Sequence, residues 1–279
     1  MAVLEVLEDY VSSELDWPLE RATIMLMDGE EAVRLFDTSF EVEYKVRNRF
    51  LIRLEDLCVD DSENIEHVRA LMFRIDEHAR SLPGPKGRSA DGTLGRLSQL
   101  LPEDERIGFL AASIDHERFT RRRTGNKYLR KLASAAFREE LESSYRRYHD
   151  KDAILTLAMK GHDVSSLLGP ELEAVIESFQ DRYHRALILQ QVLVNNEALA
   201  FSLAPSFPMA FLWAAGRERH SGATTFALEF IENSIETINS TQDFSTAIQL
   251  GIDLPLVVWA LERIGARDAI RGLSARYGV

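Results

Sequence analysis

The segment ELEAVIESFQDRYHRALILQQVL, residues 171–193, limits the fold most strongly. Its apolar positions recur at steps of three and four residues, which is the spacing of one helix face turned toward a core. Fifteen glycines and eight prolines are few for 279 residues, and this favours helices over a turn-rich β fold. The sequence therefore predicts an all-α fold with one continuous helix here, whose inner face carries Leu172, Val175, Ile176, Phe179, Tyr183, Ala186, Leu187 and Gln190.

A proline- and glycine-rich segment, SLPGPKGRSADGTLG, divides the chain at residues 81–95. Two prolines and four glycines in fifteen residues are typical of a long loop or linker. Charge also changes across it, because the net formal charge is −11 over residues 1–80 and +3 over residues 96–150. We therefore predict an acidic N-terminal helical region at 1–80, a loop or linker at 81–95 and a helical-repeat region at 96–279.

The stretch FEVEYKVRNRFLIRLE, within residues 40–55, fits two structures. Its alternation of apolar and polar residues has the period of a strand, and its valines agree with that. A single strand of this length would be unusually long, and no Asn-Gly or Asp-Gly turn divides the stretch into a hairpin. A helix is favoured by the helical neighbours, with a small β element near 40–54 as the alternative.

The C-terminal segment LPLVVWALERIGARDAIRGLSARYGV predicts two short helices. Pro255 suits the first turn of one helix, Gly265 suits its end, and the second helix begins near Ala266. Residues 255–278 resemble a HEAT-type repeat through the positions Ala260, Leu261, Ile264, Gly265, Ala269, Ile270 and Leu273. The resemblance implies antiparallel helix pairs stacked in an α-solenoid or an irregular bundle, whose usual role is to bind other molecules.

Several features bear on location and chemistry. The only cysteine is Cys58, the N-terminus lacks a basic start, and no run of eighteen apolar residues occurs. We therefore expect a cytoplasmic protein that does not span a membrane. The chain has no glycine-rich phosphate loop, no Gly-x-Ser-x-Gly and no His-Glu-x-x-His, and we expect no catalytic site and no cofactor.

The stretch HERFTRRRTGNKYLRK, residues 116–131, holds seven basic residues and one acidic residue in a chain of net charge −12. On an ideal helix, Arg118, Arg121 and Arg122 fall in one sector, and the other four basic residues fall roughly opposite. Three interpretations remain open: a solvated helix face with local ion pairs, a nucleic-acid surface, or a docking surface for an acidic partner, which includes the protein's own N-terminal region.

We predict a non-catalytic protein-binding module that recognises an acidic partner through this stretch, and leave the oligomeric state open. Opposite-sign surfaces steer encounter and suppress wrong partners. The predicted binding surface consists of Arg118, Arg121, Arg122, Arg123, Lys127, Arg130 and Lys131.

An enzymatic alternative rests on two His-Asp steps. His149-Asp150 and His162-Asp163, with His116 upstream, resemble the ligand pattern of HD-type metal-dependent phosphohydrolases. The resemblance implies that these five residues hold metal ions that activate water for attack on phosphate. A weaker metal candidate is the set Glu177, Asp181 and His184, which would share one face of the predicted continuous helix.

Overall fold

The computed structural model of the protein describes residues 63–81, 85–132, 137–241 and 253–277. These residues form helices joined by short turns, and none of them lies in a strand. The all-α prediction is confirmed for this part of the chain. The stretch at 40–54, with its alternative β element, lies outside the described residues.

The chain divides into two compact units between Leu132 and Ala133. The described helices of the first unit are α1, Glu63–Ser81; α2, Pro85–Leu97; α3, Glu103–Ile114; and α4, Phe119–Leu129. A short 3₁₀ turn, Ser98–Leu100, connects α2 with the segment before α3. α4 packs against both α2 and α3, and α1 packs against α2. α4 thus has two neighbouring helices in this unit.

Helix α2 shows that the predicted loop or linker at 81–95 is wrong from Pro85 onward. Ala90, Leu94 and Leu97 recur at helical spacing and are fully buried, so core contacts compensate for the poor helix propensity of glycine. Gly95 is required by packing, because a Cβ atom there would overlap the side chains of Thr124 and Tyr128 on α4. The glycines that suggested a loop therefore include one that allows two helices to approach closely.

The second unit contains the remaining helices. They are α5, Arg138–Tyr148; α6, Lys151–Met159; α7, Ser165–Leu168; α8, Leu172–Glu177; α9, Arg182–Asn195; α10, Glu197–Leu203; α11, Pro208–Glu218; α12, Thr224–Thr241; α13, Leu254–Arg263; and α14, Arg267–Tyr277. Short 3₁₀ turns at Gly169–Glu171 and Ser221–Ala223 precede α8 and α12. α9 packs against α6 and α11, and α11 packs against α13.

The predicted continuous helix through residues 171–193 is broken into α8 and α9. Asp181 ends the continuity because its carboxylate accepts the Tyr183 N–H at 2.8 Å and so caps a new helix. Arg185 donates to the carbonyl oxygens of Phe179 and Glu177, at 2.6 and 3.1 Å, which satisfies carbonyls at the end of α8. Glu177, Asp181 and His184 therefore do not share one helix face, and this metal candidate loses its geometric basis.

The two predicted C-terminal helices are confirmed as α13 and α14. Pro255 lies in the first turn of α13, and Asp253 caps it by accepting the Leu256 N–H at 3.1 Å. Gly265 has a φ of +90°, a conformation that glycine adopts readily and that ends α13. Stacking of the pairs as HEAT-like repeats remains a prediction.

Candidate functional site

The basic stretch contains one helix, α4, which runs unbroken through Gly125 and Asn126. Gly125 faces α3, where a Cβ atom would lie 2.9 Å from the Ser113 Cβ. The buried side chain of Asn126 donates to the Arg122 carbonyl at 3.1 Å, and the residue keeps its place in the helix. Arg121, Arg122, Arg123 and Lys127 lie within α4, whereas Arg118 precedes it and Arg130 and Lys131 follow it. The surroundings of the two predicted sectors differ.

The first sector faces inward and is paired with carboxylates. Arg118 lies 2.7 Å from Asp91 and 3.4 Å from Asp76, and Asp91 is fully buried. Arg121 is only 5% exposed and lies 3.7 Å from Asp76 and 4.0 Å from Asp91. The Thr120 hydroxyl also donates to Asp91. Asp91 is thus the centre of a buried cluster in which charges are compensated by partners on other helices.

Two further contacts hold Arg121 in place. Its Nε donates to the Ser113 hydroxyl oxygen at 3.0 Å, and its guanidinium carbon lies 4.2 Å above the centre of the Phe109 ring. Arg122 is 6% exposed, and its Nη1 donates to the carbonyl oxygens of His116 and Glu117 at 2.8 and 2.7 Å. Both guanidinium groups therefore serve the packing of the turn between α3 and α4.

These contacts correct the predicted binding surface. Arg121 and Arg122 are buried in the first unit, and Arg118 is half-buried and paired with Asp91. Asp76 belongs to the predicted acidic N-terminal region, so part of the basic stretch does meet acids of its own chain. Charge in the sequence could not distinguish the two sectors, because whether an arginine faces inward depends on which acids approach it from distant positions.

The second sector faces outward. Arg123, Lys127 and Lys131 are exposed, and none of them forms an ion pair with any residue that the structure describes. The two lysine Nζ atoms lie 5.5 and 5.1 Å from the centre of the Tyr128 ring. Arg130 is half-buried and engaged in further interactions. Phe119, at the start of α4, is 53% exposed.

We call the residues Phe119, Arg123, Lys127 and Lys131 the outer face of α4. Phe119, Arg123 and Lys127 follow one another at four-residue steps within α4, and Lys131 lies one step further, two residues beyond the end of the helix. Each step turns about 40° around the axis, so neighbouring members of the row lie side by side. The step corresponds to about 6 Å along the axis. The outer face is therefore a row of one aromatic and three cationic side chains in solvent.

The two aspartates of the enzymatic alternative accept hydrogen bonds at the starts of helices. Asp150 is buried and caps α6 by accepting the Asp152 N–H at 3.1 Å. Asp163 accepts both the N–H and the hydroxyl of Ser165, at 2.8 and 2.6 Å. Burial raises the pKa of Asp163, but hydrogen bonds from Ser165 and Ser166 outweigh this, and the net shift is downward. Asp150 thus caps α6, and Asp163 stabilises the turn that leads into α7.

The three histidines have separate local surroundings. His116 belongs to the first unit, where its Nδ1 accepts the Arg118 N–H at 3.0 Å. Burial, with the neighbouring Arg118 and Arg121, lowers the pKa of His116. His149 ends α5 in the left-handed conformation, and His162 lies in the turn after α6. Within the described ranges, no three His, Cys, Asp or Glu side chains lie close enough together to hold a metal ion.

Two grooves were not anticipated from the sequence. One, of about 270 Å³, lies in the first unit beside Arg121, between the rings of Phe73 and Phe109. The other, of about 370 Å³, lies in the second unit along α8 and includes Tyr145 and Glu171. The sequence has only weak signals for the groove along α8. Tyr145 belongs to no motif, and an acidic residue such as Glu171 is common in the first turn of a helix.

Comparisons with known proteins found no match: no family model, no curated protein and no solved structure is similar to this chain. Among the helices that the structure describes, none is long and apolar enough to cross a membrane.

Proposed function

We propose that the protein is a non-catalytic binding module whose outer face of α4 recognises an acidic segment of a partner protein. The observation that carries the proposal is that Arg123, Lys127 and Lys131 are exposed and have no carboxylate partner among the described residues. Exposed cations that have no internal carboxylate partner can pair with external acids without breaking an ion pair of the fold.

The spacing of the outer face supports a peptide partner. Its cations recur about every 6 Å, which is the distance between acids four apart on a helix or two apart on an extended strand. Each exposed ion pair stabilises a complex by only about 0.2–1 kcal/mol. Phe119 adds an exposed aromatic ring beside the first cation, and such rings contribute strongly to binding when a partner covers them. We therefore infer an acidic segment that also carries an apolar residue.

A nucleic-acid partner is less well supported. Three cations on the outer face would neutralise about three phosphates, whereas duplex-binding proteins commonly contact six to ten. Arg121 and Arg122 are buried and Arg118 is paired with Asp91, so three of the seven cations that this interpretation used are engaged within the protein. We further propose that the helix pairs of residues 96–279 stack in a HEAT-like manner and that the protein acts in the cytoplasm.

The test compares two variants that change the net charge equally. One carries Arg123→Glu, Lys127→Glu and Lys131→Glu, and the control carries Arg182→Glu, Arg217→Glu and Arg219→Glu on exposed positions of the second unit. Each variant and the wild type are used at low salt to capture proteins from an extract of the native cells. We expect a partner that the wild type and the control retain and the outer-face variant loses, and that salt releases.

The binding segment of that partner is then identified, and its binding to each of the three proteins is measured directly. Binding of a short fluorescent DNA duplex to the same proteins is measured in parallel. Binding of the acidic segment by wild type and control alone supports the proposal. Equal capture by all three proteins would contradict it. If the wild type bound the duplex strongly, and if this binding weakened steeply with salt, nucleic acid would be the better supported partner.

A further inference from the structure

The groove along α8 in the second unit has the size and composition of a small ligand site. Its volume is about 370 Å³, within the lower range of known ligand pockets. Both polar and apolar side chains line it, and they come from α5 and its C-terminal end, the start of α6, and α8 with its two flanking residues. The lining residues are Tyr145, His149, Lys151, Glu171, Ala174, Val175 and Ser178.

One end of the groove carries a negative charge that is held in place. The Tyr145 hydroxyl donates to Glu171 Oε2 at 2.8 Å, at the beginning of α8. Burial, together with Glu171, raises the pKa of Tyr145 to about 12, so the phenol stays protonated and remains a donor at neutral pH. The second carboxylate oxygen of Glu171 has no hydrogen-bond partner within the described part of the chain.

The other end carries a positive charge. Lys151 Nζ donates to the Ser178 carbonyl at 3.0 Å, just after the end of α8, and lies 5.4 Å from the centre of the Phe179 ring. An ammonium group has three N–H bonds, so two remain for a ligand. His149 stands nearby, with its ring edge-on to Tyr145 at a centroid distance of 5.8 Å.

α8 sets the approximate spacing of the two ends. Glu171 directly precedes α8 and Ser178 directly follows it, and seven residues of helix correspond to about 10 Å between their backbone positions. Between them the groove is lined by Ala174 and Val175. A ligand that fills it therefore meets a carboxylate first, then apolar side chains, and finally an ammonium group.

We propose that this groove binds a short zwitterionic peptide, with its amino terminus at Glu171 and its carboxyl terminus at Lys151. An extended chain spans about 3.3–3.6 Å per residue, so about three residues bridge the two charges. A simple anion would meet Glu171, and a simple cation would meet Lys151, so neither satisfies both ends. The inference does not depend on the outer face of α4, which lies in the other unit.

Trialanine is the probe, measured by isothermal titration calorimetry against the full chain. N-acetyl-trialanine and trialanine amide each lack one terminal charge. We expect each blocked peptide to bind at least about tenfold more weakly, because each loses one charge-assisted hydrogen-bonding contact. Failure of trialanine to bind at millimolar concentration, or equal binding of all three peptides, would overturn the proposal.

Two substitutions assign the ends. Lys151→Met should remove the preference for the free acid over the amide, and Glu171→Gln should remove the preference for the free amine over the acetylated form. Glutamine can still accept from the Tyr145 hydroxyl, so this change leaves the neighbouring contact intact.

Matched controls are Arg182→Gln and Glu177→Gln, at exposed positions outside the groove lining. They should leave both preferences unchanged. The proposal is overturned if the two groove variants retain both preferences, or if the controls lose them. A charge reversal of the outer face of α4 should leave trialanine binding intact, so failure of one proposal is distinguishable from failure of the other.

Discussion

The two sides of α4 carry the same kind of residue and have opposite roles. Arg118, on the inward side, lies 2.7 Å from the fully buried Asp91, whereas Arg123 on the outward side has no ion pair within the described residues. A guanidinium group beside a buried carboxylate stabilises the fold, and one in water is available to a partner. Each arginine of such a run therefore contributes to stability or to recognition according to its position around the helix. The net charge of the run does not decide between the two roles.

The largest effect is expected where the inward contact is removed. Arg118→Met leaves Asp91 buried without its nearest cation, and should destabilise the first unit by about 3 kcal/mol. Arg123→Met is the matched outward change and should alter stability by less than about 0.5 kcal/mol. Hydrogen exchange of the α2 and α4 amides measures both free energies locally. Equal losses for the two variants would break the distinction between the two sides.

A second test compares glycines at inward and open positions. In Gly125→Ala the new Cβ would lie 2.9 Å from the Ser113 Cβ, so α3 and α4 must move apart, at a cost of about 1–3 kcal/mol. In Gly92→Ala the methyl group meets nothing within 4 Å, and α2 should gain about 0.5–1 kcal/mol. Urea denaturation, followed by circular dichroism, measures the free energy of unfolding of each variant. A stabilising Gly125→Ala would show that α4 is less closely packed than the structure indicates.

The smallest effect concerns pH. Burial lowers the pKa of His116 below its ordinary value of 6.5, and Arg118 and Arg121 act in the same direction while Asp76 and Asp91 oppose them. The unfolded chain therefore binds this proton more readily than the folded one, so stability is full above pH 6.5 and decreases as the pH falls below it. Urea midpoints measured between pH 7.5 and pH 5 should decrease more for the wild type than for His116→Gln. If the urea midpoints of the two proteins changed in parallel with pH, His116 would not contribute to this pH dependence.

Local signals in the sequence predicted local structure well. Pro255 and Gly265 mark the start and the end of α13, because a proline ring and a positive φ act on the backbone within one turn. The spacing of apolar residues did not predict the break before α9. Asp181 caps a new helix with its own side chain, and an apolar spacing of three and four continues across such a cap unchanged.

The candidate sites were predicted less completely. The sectors of α4 followed from helical geometry, but their burial required Asp76 and Asp91, which come from α1 and α2. The predicted metal-ligand set does not form a metal site among the described residues, and its Asp150 and Asp163 accept hydrogen bonds from the starts of the helices that follow them. The groove along α8 joins Tyr145 with a residue 26 positions away, a pairing for which the sequence has no local signal.

The helical character of the described residues, the ends of several helices and the division of the basic side chains into two sectors were predictable from the sequence. These properties depend on backbone hydrogen bonds and side chains within a few residues of one another. The helix Pro85–Leu97, and the contrast between the internal Arg121 and the exposed Lys127, depend instead on tertiary packing. Those outcomes depend on which distant side chains exclude water from each position, and burial, unlike capping, is a property of the assembled helices.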